Sequence, residues 1–325
     1  MFSFAQLTTL LSQRENQILS VTKAPERLYE PIRYMLSLGG KKIRPALVLM
    51  SCNLFSDEVE PAVDPALGIE IFHNFTLMHD DLMDRSDMRR GKPTIHKKWN
   101  DNTAILSGDA MLILAYQYVS SCKPEILSEV LNLFSTTARE VCEGQQFDMD
   151  FETRDRVTEE EYLEMIRLKT AVLLGCALKT GAFAGNADPL DARYLYDFGI
   201  NIGLAFQLKD DLLDVYGDAS VFGKNIGGDI VCNKKTFLLI KALEHADSRQ
   251  KDVLNHWISL PAFDRDEKVR QVTEIYNQLN IKDIGEEKAV FYYKNAMDCL
   301  EKVSVEHARK QELILLAGNL MNRQF

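Results

Sequence analysis

The pentapeptide Asp-Asp-Leu-x-Asp occurs twice in the chain, as Asp80-Asp81-Leu82-Met83-Asp84 and as Asp210-Asp211-Leu212-Leu213-Asp214. At about 100° per residue, positions one and five of such a motif share one face of a helix, a turn apart. Like-charged carboxylates at that spacing repel and weaken the helix. Two such clusters on apolar helices therefore need a compensating cation. Ligands that are all oxygen point to a hard divalent ion, Mg²⁺ before Ca²⁺ or Mn²⁺. Two clusters facing each other could hold several ions, and several Mg²⁺ ions point to a polyphosphate.

Basic residues supply the opposite charge. Gly39-Gly40-Lys41-Lys42-Ile43-Arg44-Pro45 puts two glycines and three cations at a helix start, where backbone N–H groups also favour anions. Arg89-Arg90-Gly91-Lys92-Pro93 follows the first aspartate cluster. Lys169-Thr170 lies in an otherwise apolar helix, and Lys224, with Lys234-Lys235 beyond it, lies in or beside a glycine-containing loop. Arginine forks grip phosphate oxygens bidentately, whereas lysines act as point charges. Taken singly, each basic cluster reads as a solvated face. Together with two acidic motifs they read as a diphosphate site, with metal on one side and cations on the other.

The elements that must position these groups are helices. Apolar periodicity places them near 5–20, 25–38, 43–55 and 62–84, then near 100–121, 124–147, 158–182 and 189–216. Shorter ones follow near 235–246, 248–259, 265–279, 284–302 and 305–322. Gly39-Gly40 stops the second, and Pro45 suits the first turn of the third. Leu67, Ile71, Phe75, Met78 and Leu82 form a buried stripe leading into the first motif. Leu204, Leu208, Leu212 and Val215 form a similar one through the second. The clearest break in periodicity, Gly217 to Asn233, is a candidate active-site lid.

Composition agrees. The chain has 325 residues, 46% of them hydrophobic, with only 17 Gly and 9 Pro. Strand-like alternation is almost absent, so an all-α body is expected, and no linker divides residues 1–325, so a single domain is expected. A net charge of −10 argues against nucleic acid as partner. The six cysteines are not paired at metal-ligand spacing and read as buried free thiols in a reducing cytosol. The first residues lack the basic n-region of a signal peptide. No apolar run reaches the roughly 18 residues needed to span a bilayer, so no membrane insertion and a cytoplasmic location are expected.

Other chemistries fit less well. His79-Asp80 hints at a metal-dependent phosphohydrolase, but no other histidine lies in an acidic cluster. His73 reads equally as a structural histidine or a substrate contact. A Gly-x-x-x-x-Gly-Lys-Ser/Thr phosphate loop and a Gly-x-Ser-x-Gly elbow are both absent.

Taken in order, these residues closely resemble the trans (E-type) polyprenyl diphosphate synthases. Leu77 to Asp84 followed by Arg89-Arg90-Gly91-Lys92-Pro93-Thr94 is similar to their first aspartate-rich region, and Phe206 to Asp214 to their second. Gly39-Gly40-Lys41 with Arg44-Pro45, Gly144-Gln145 with Asp148, Lys169-Thr170 and Gly223-Lys224 fall in the family's order. The motifs span about residues 39 to 235. Beyond them the resemblance rests on helical pattern alone.

The resemblance implies the isoprenoid synthase fold, antiparallel helices around a central active-site cavity, usually as a homodimer. It implies head-to-tail condensation of isopentenyl diphosphate onto an allylic diphosphate. Asp80 and Asp84 would ligate Mg²⁺, with Asp81 beside them. Asp210 would take another ion from the opposite wall, supported by Asp211 and Asp214. About three Mg²⁺ ions per site are implied, with Mn²⁺ as a substitute. Arg89, Lys169 and Lys224 would bind the allylic diphosphate, with Lys234 as a further substrate contact. Thr170 and Gln207 would flank the reacting carbon. Lys41, Arg44, His73 and Arg90 would bind isopentenyl diphosphate. Phe75, about 7.5 Å down the helix from Asp80 at 1.5 Å per residue, resembles the bulky residue of short-chain members, and Thr76 beside it leaves more room. The expected product is geranylgeranyl diphosphate (C20), with farnesyl diphosphate (C15) next. Rival readings are terpene cyclisation or head-to-head coupling, and a non-catalytic subunit of a heteromeric synthase. Two intact aspartate motifs and a second diphosphate site speak against both.

Overall fold

The two aspartate motifs end two long helices, α4 (Val63–Met83) and α10 (Pro189–Tyr216). The computed structural model describes residues 2–20, 24–217 and 226–322. Before α4 come α1 (Phe4–Ser20), α2 (Glu26–Ser37) and α3 (Ile43–Phe55). A short turn, α5 (Ile95–Lys98), precedes α6 (Asp101–Val119) and α7 (Leu127–Thr153). Next come α8 (Glu159–Ile166) and α9 (Val172–Ala184), which lead into α10. The C-terminal part holds α11 (Gly228–Val231), α12 (Phe237–His245), α13 (Ser248–Ser259), α14 (Arg265–Gln278), α15 (Ile281–Glu301) and α16 (His307–Asn322).

Local chemistry explains the boundaries. Asn100 accepts from the Thr103 N–H to cap α6. Thr158 and Glu161 form a reciprocal capping box on α8. Asp188 caps α10, and Pro189 takes its first position, where the missing N–H does no harm. The expected stripe on α4 holds for Leu67, Ile71, Phe75 and Met78, which are buried, while Leu82 at its end is half-buried. Leu204, Leu208, Leu212 and Val215 on α10 are buried too. Each such side chain contributes roughly 1.5–3 kcal/mol of transfer free energy. The two stripes enter two hydrophobic clusters, which share contacts with Ile200 and Tyr293.

Three features depart from the periodicity reading. First, α7 continues to Thr153, past the expected end near 147. Second, the segment 158–182 is not one regular helix: residues Arg167–Ala171 wind as a π-helical turn between α8 and α9. Third, the first motif is followed by a small antiparallel hairpin, β1 (Met88–Arg89) and β2 (Lys92–Pro93). Its two-residue loop, Arg90-Gly91, has φ of 51° and 73°, as a tight primed hairpin turn requires. The expected lid falls largely on residues 218–225, outside the described residues, and so does Lys224. The cysteines also differ from expectation: Cys52 and Cys176 are buried, but Cys142 and Cys232 are exposed.

The π turn is braced by α7. A Cβ on Gly144 would lie 2.4 Å from the Lys169 backbone nitrogen and 2.8 Å from the Leu168 carbonyl carbon. Only a glycine lets the two backbones approach this closely. Gly144→Ala must push the turn away from α7 and carry Lys169 with it. Overpacking of this kind costs about 1–3 kcal/mol. The variant should melt several degrees lower and lose turnover. A Gly144→Ala protein with native melting temperature and native rate would show that the contact tolerates a methyl group.

Candidate active site

The six motif aspartates stand in two kinds of surroundings. Asp81, at the centre of the first motif, is 2% exposed. Both its oxygens accept from Arg89, at 2.7 Å from Nε and 2.7 Å from Nη2. This bidentate fork is the strong form of carboxylate pairing. It fixes Arg89 on β1 while using two of its five N–H groups. Burial pushes the Asp81 carboxyl up, and Arg89 offsets that. Asp80 and Asp84, on either side, are not held this way. Arg89 Nη2 lies 3.8 Å from Asp80, and Lys169 Nζ lies 3.2 Å from its other oxygen.

Asp211 is the counterpart of Asp81 on α10. It is buried, with one oxygen accepting from the Tyr162 hydroxyl and the other from Gln207 Nε2 at 3.2 Å. Burial raises its carboxyl to about 7, helped by Asp229 and opposed by Tyr162 and Gln207. Gln207 Oε1 in turn accepts from the Thr170 hydroxyl at 3.3 Å. A chain of hydrogen bonds, Tyr162 to Asp211 to Gln207 to Thr170, thus orients the amide. Asp214 accepts from the Asp229 N–H at 2.9 Å. Asp210, on the exposed side of the helix, is also engaged.

Lysines join the two walls. Lys169, on the π turn, donates to Asp80 on α4 and, at 2.6 Å, to Asp148 on α7. Burial opposes ionisation of Asp148, yet Lys234 and Lys169 hold its carboxyl below the usual range. Lys234 reaches the same place from beyond α11. Desolvation opposes its charge, but Asp148, Asp229, Asp211 and Asp80 outweigh that and raise its pKa. Lys234 is therefore in the field of aspartates from both walls at once. Lys234 itself is exposed to solvent.

A second cationic corner lies at the start of α3. Gly39 and Gly40 have φ of 73° and 148°. A Cβ on Gly40 would meet the Arg90 guanidinium at 2.8 Å. The hairpin thus lays Arg90 against the glycine turn that carries Lys41. Lys42 turns back and pairs with Glu15 on α1. Arg44 Nη1 lies 3.2 Å from His73 Nε2. Burial first, and then Arg44, Arg90 and Arg89, hold the His73 pKa well below its ordinary value. The ring is therefore neutral, and its Nε2 accepts from Arg44. Arg44 Nε is buried without a hydrogen-bond partner among the described residues, which leaves a donor suited to an incoming oxyanion.

Of the residues expected from the sequence, Asp80, Asp81, Arg89 and Lys169 are joined by ion pairs, and Thr170, Gln207 and Asp211 by hydrogen bonds. Arg44 meets His73, and Phe75 and Thr76 lie elsewhere on α4. Four others were not expected: Glu70, Asn74, Tyr162 and Asp229. Glu70 is buried one turn before His73 and accepts from Asn74 Nδ2 at 3.0 Å. A lone acid inside the apolar run Leu67–Phe72 was the available signal. Among the described residues, no three Asp, Glu, His or Cys side chains are gathered closely enough to hold a metal by themselves. The donors are nonetheless hard carboxylate oxygens. That suits Mg²⁺, which takes one or two protein carboxylates and completes its shell with water and substrate phosphate.

Glu70 gives a pH test. Burial pushes its carboxyl up to about 7, against the pull of Asn74, Arg44 and Arg90. The folded value lies above the unfolded one of about 4.3. Stability from this group is therefore lost as pH rises through the interval between them. Glu70→Gln removes that dependence. Between pH 5.5 and 8 the variant should gain on the wild type by about 2 kcal/mol in denaturant melts. A stability difference that stays constant with pH would contradict the assignment.

Comparison with known proteins identifies the family. Residues 25–278 match the family model described as polyprenyl synthetase. The chain is 35% identical over 316 residues to a geranylgeranyl diphosphate synthase of Methanosarcina mazei, covering 95% of this chain and 94% of that protein. It is 38% identical over 259 residues to a geranylfarnesyl diphosphate synthase of Natronomonas pharaonis, covering 74% and 75% of the two chains. A crystal structure of a geranylgeranyl pyrophosphate synthase superposes with a TM-score of 0.95 at 42% identity, covering all of both chains. The likeness thus extends through the C-terminal helices, beyond the motifs legible in sequence. With its helices arranged as in the isoprenoid synthase fold, the chain belongs to the polyprenyl synthetase family.

Proposed function

We propose that this trans-prenyltransferase condenses isopentenyl diphosphate head-to-tail with allylic diphosphates to give a short-chain product. Geranylgeranyl diphosphate is the main product in this reading, and farnesyl diphosphate the next. The observation that carries the reading is the bridge formed by Lys169 between Asp80 and Asp148. It lies beside Thr170 and Gln207 and apart from the corner of Arg44, His73 and Arg90. One corner suits a diphosphate that leaves, the other a diphosphate that stays.

In this mechanism Lys169, Lys234 and Arg89 bind the allylic diphosphate, with Lys224 as a further expected contact. Arg44, Lys41 and Arg90 grip isopentenyl diphosphate, and neutral His73 holds Arg44 in line. As the allylic C–O bond breaks, negative charge grows on the leaving group, and the fixed cations stabilise it more than they stabilise the substrate. The carbocation left behind faces the oxygens of Thr170 and Gln207. The double bond of isopentenyl diphosphate attacks it, and the proton then lost passes to the departing pyrophosphate, so no side-chain base is needed.

Asp80, Asp84, Asp210 and Asp214 are the residues we assign to Mg²⁺. When bound, about three such ions neutralise the diphosphate and polarise the bond that breaks. Asp81 and Asp211 support them by holding Arg89 and Gln207. Because the carboxylates alone do not complete a metal site, Mg²⁺ should bind weakly by itself. Calorimetric titration should show affinity rising at least tenfold when pyrophosphate is present. Equal affinity with and without pyrophosphate would count against shared ligation.

Phe75 supports the short-chain reading. Its ring packs edge-on against His79, ring centres 4.8 Å apart, and lies tilted against Phe72 at 5.6 Å. His79 in turn lies on Gly108 of α6, where a Cβ would overlap the imidazole. Phe75 is therefore backed by α4 and α6 and cannot swing aside cheaply. Leu106 and Ile113 on the outer face of α6 are 61% and 62% exposed. We assign that face to a homodimer contact. No helix among the described residues is long and apolar enough to cross a membrane, and a cytoplasmic location is our reading. Purified protein incubated with Mg²⁺, isopentenyl diphosphate and farnesyl diphosphate should yield mainly C20. A dominant product of C30 or longer would overturn the role given to Phe75. Phe75→Ala should lengthen the product, and an unchanged distribution would assign the floor to another residue.

A further inference from the structure

Lys268 of α14 is 1% exposed and carries a charge into the protein interior. Among the described residues it pairs with no carboxylate. Its ammonium donates instead to Asn233 Oδ1 at 2.6 Å and to the Val231 carbonyl at 3.3 Å. The Phe263 ring lies 4.0 Å away. A buried ammonium is costly unless its N–H groups are satisfied, and here two oxygens and an aromatic face do so. The two oxygens belong to one short segment.

That segment is the turn that precedes Lys234. Asn233 has a φ of 54°, and its own Nδ2 donates to the Ile258 carbonyl at 3.0 Å. The carboxamide is thus held at both ends, by α14 and by the end of α13. The next residue is Lys234, whose N–H is tied to the Asp229 carbonyl at 2.9 Å. Further contacts from α14 reach the same stretch. Arg265 Nη2 donates to the Ile226 carbonyl at 2.6 Å, and Val269 packs against Gly227, where a Cβ would come within 2.7 Å of both its methyl groups. On the other side the Gly227 N–H donates to the Asp214 carbonyl at 2.6 Å.

We propose that Lys268 is a positioning residue for the allylic diphosphate site: through Asn233 and the Val231 carbonyl it fixes the turn that presents Lys234 to the cleft. The inference rests on Lys234 being a diphosphate contact, as proposed above. A neutral side chain at 268 leaves the Asn233 oxygen and the Val231 carbonyl without their shared donor. The turn at φ 54° then relaxes, and Lys234 swings out of register with Asp148 and Asp229. The corner formed by Arg44, His73 and Arg90 is untouched. The two substrates should therefore respond differently.

The test compares Lys268→Met, Asn233→Gly and Lys234→Ala, singly and as the pair Lys268→Met with Lys234→Ala. Glycine at 233 tolerates the positive φ while removing both carboxamide bonds, so it serves if Lys268→Met folds poorly. Melting temperature and both KM values are measured for each. Lys268→Met and Asn233→Gly should raise the allylic KM by about tenfold and leave the isopentenyl diphosphate KM within about twofold. In the Lys234→Ala background, Lys268→Met should add less than about twofold, because the two act through one contact. A lower melting temperature with an unchanged allylic KM, or full multiplication of the two effects, would overturn the role of Lys268 and leave that of Lys234 intact. An unchanged allylic KM in Lys234→Ala would overturn the reading of Lys234 and this inference with it.

Discussion

Negative charge at the carboxyl end of a helix is doubly unfavourable. The carboxylates repel one another, and the aligned peptide dipoles already leave that end negative. Both α4 and α10 finish in three aspartates, so the molecule concentrates this conflict at two places and brings cations to them. Two aspartates are satisfied locally, Asp81 by the Arg89 fork and Asp211 by Tyr162 and Gln207. Asp214 accepts from the Asp229 N–H, while Lys169 reaches Asp80 from the opposite wall and Lys234 lies in the field of Asp80, Asp148, Asp211 and Asp229. In the proposed reading, a bound metal and its diphosphate would add to an electrostatic balance that the lysines already begin.

Much of the scaffold serves to hold those cations in place. Lys169 comes from a π turn that Gly144 allows to press against α7. Arg89 and Arg90 come from a hairpin of two-residue strands, whose turn lays one arginine on Asp81 and the other on Gly40. Lys234 comes from a turn strapped by α13 and α14. Three unrelated pieces of irregular backbone thus deliver basic groups to one cleft. Regular helices supply the acids and Arg44, and departures from regularity supply Arg89, Arg90, Lys169 and Lys234.

That division explains what the sequence disclosed. The aspartate clusters were legible because they break a local rule, and the stripes of Leu67 and Leu204 were legible because a 3.6-residue period survives in plain text. The glycines at 39 and 40 marked a helix end through their backbone freedom. The π turn was not legible, since one extra residue in a turn barely disturbs an apolar pattern. The hairpin was too short to show alternation. Tyr162 and Asp229 looked like an ordinary aromatic and an ordinary first-turn acid. Their importance depends on what lies opposite them, which is a property of the fold and not of any local window. The role of α14 was hidden for the same reason: Lys268 sits in a helix rich in charge, where one more lysine draws no notice.

The π turn sets a limit on how such an enzyme can diversify. Lys169 and Thr170 are consecutive residues, so their Cα atoms are about 3.8 Å apart whatever the surroundings. In the proposed mechanism one serves the leaving group and the other the carbon it departs from. The backbone step between those two duties is a single peptide bond, which no substitution elsewhere can stretch. The far wall at Phe75 carries no such constraint. In that mechanism, differences in product length belong to the tail of the substrate, and the backbone spacing at the head of the reaction is the same for every product.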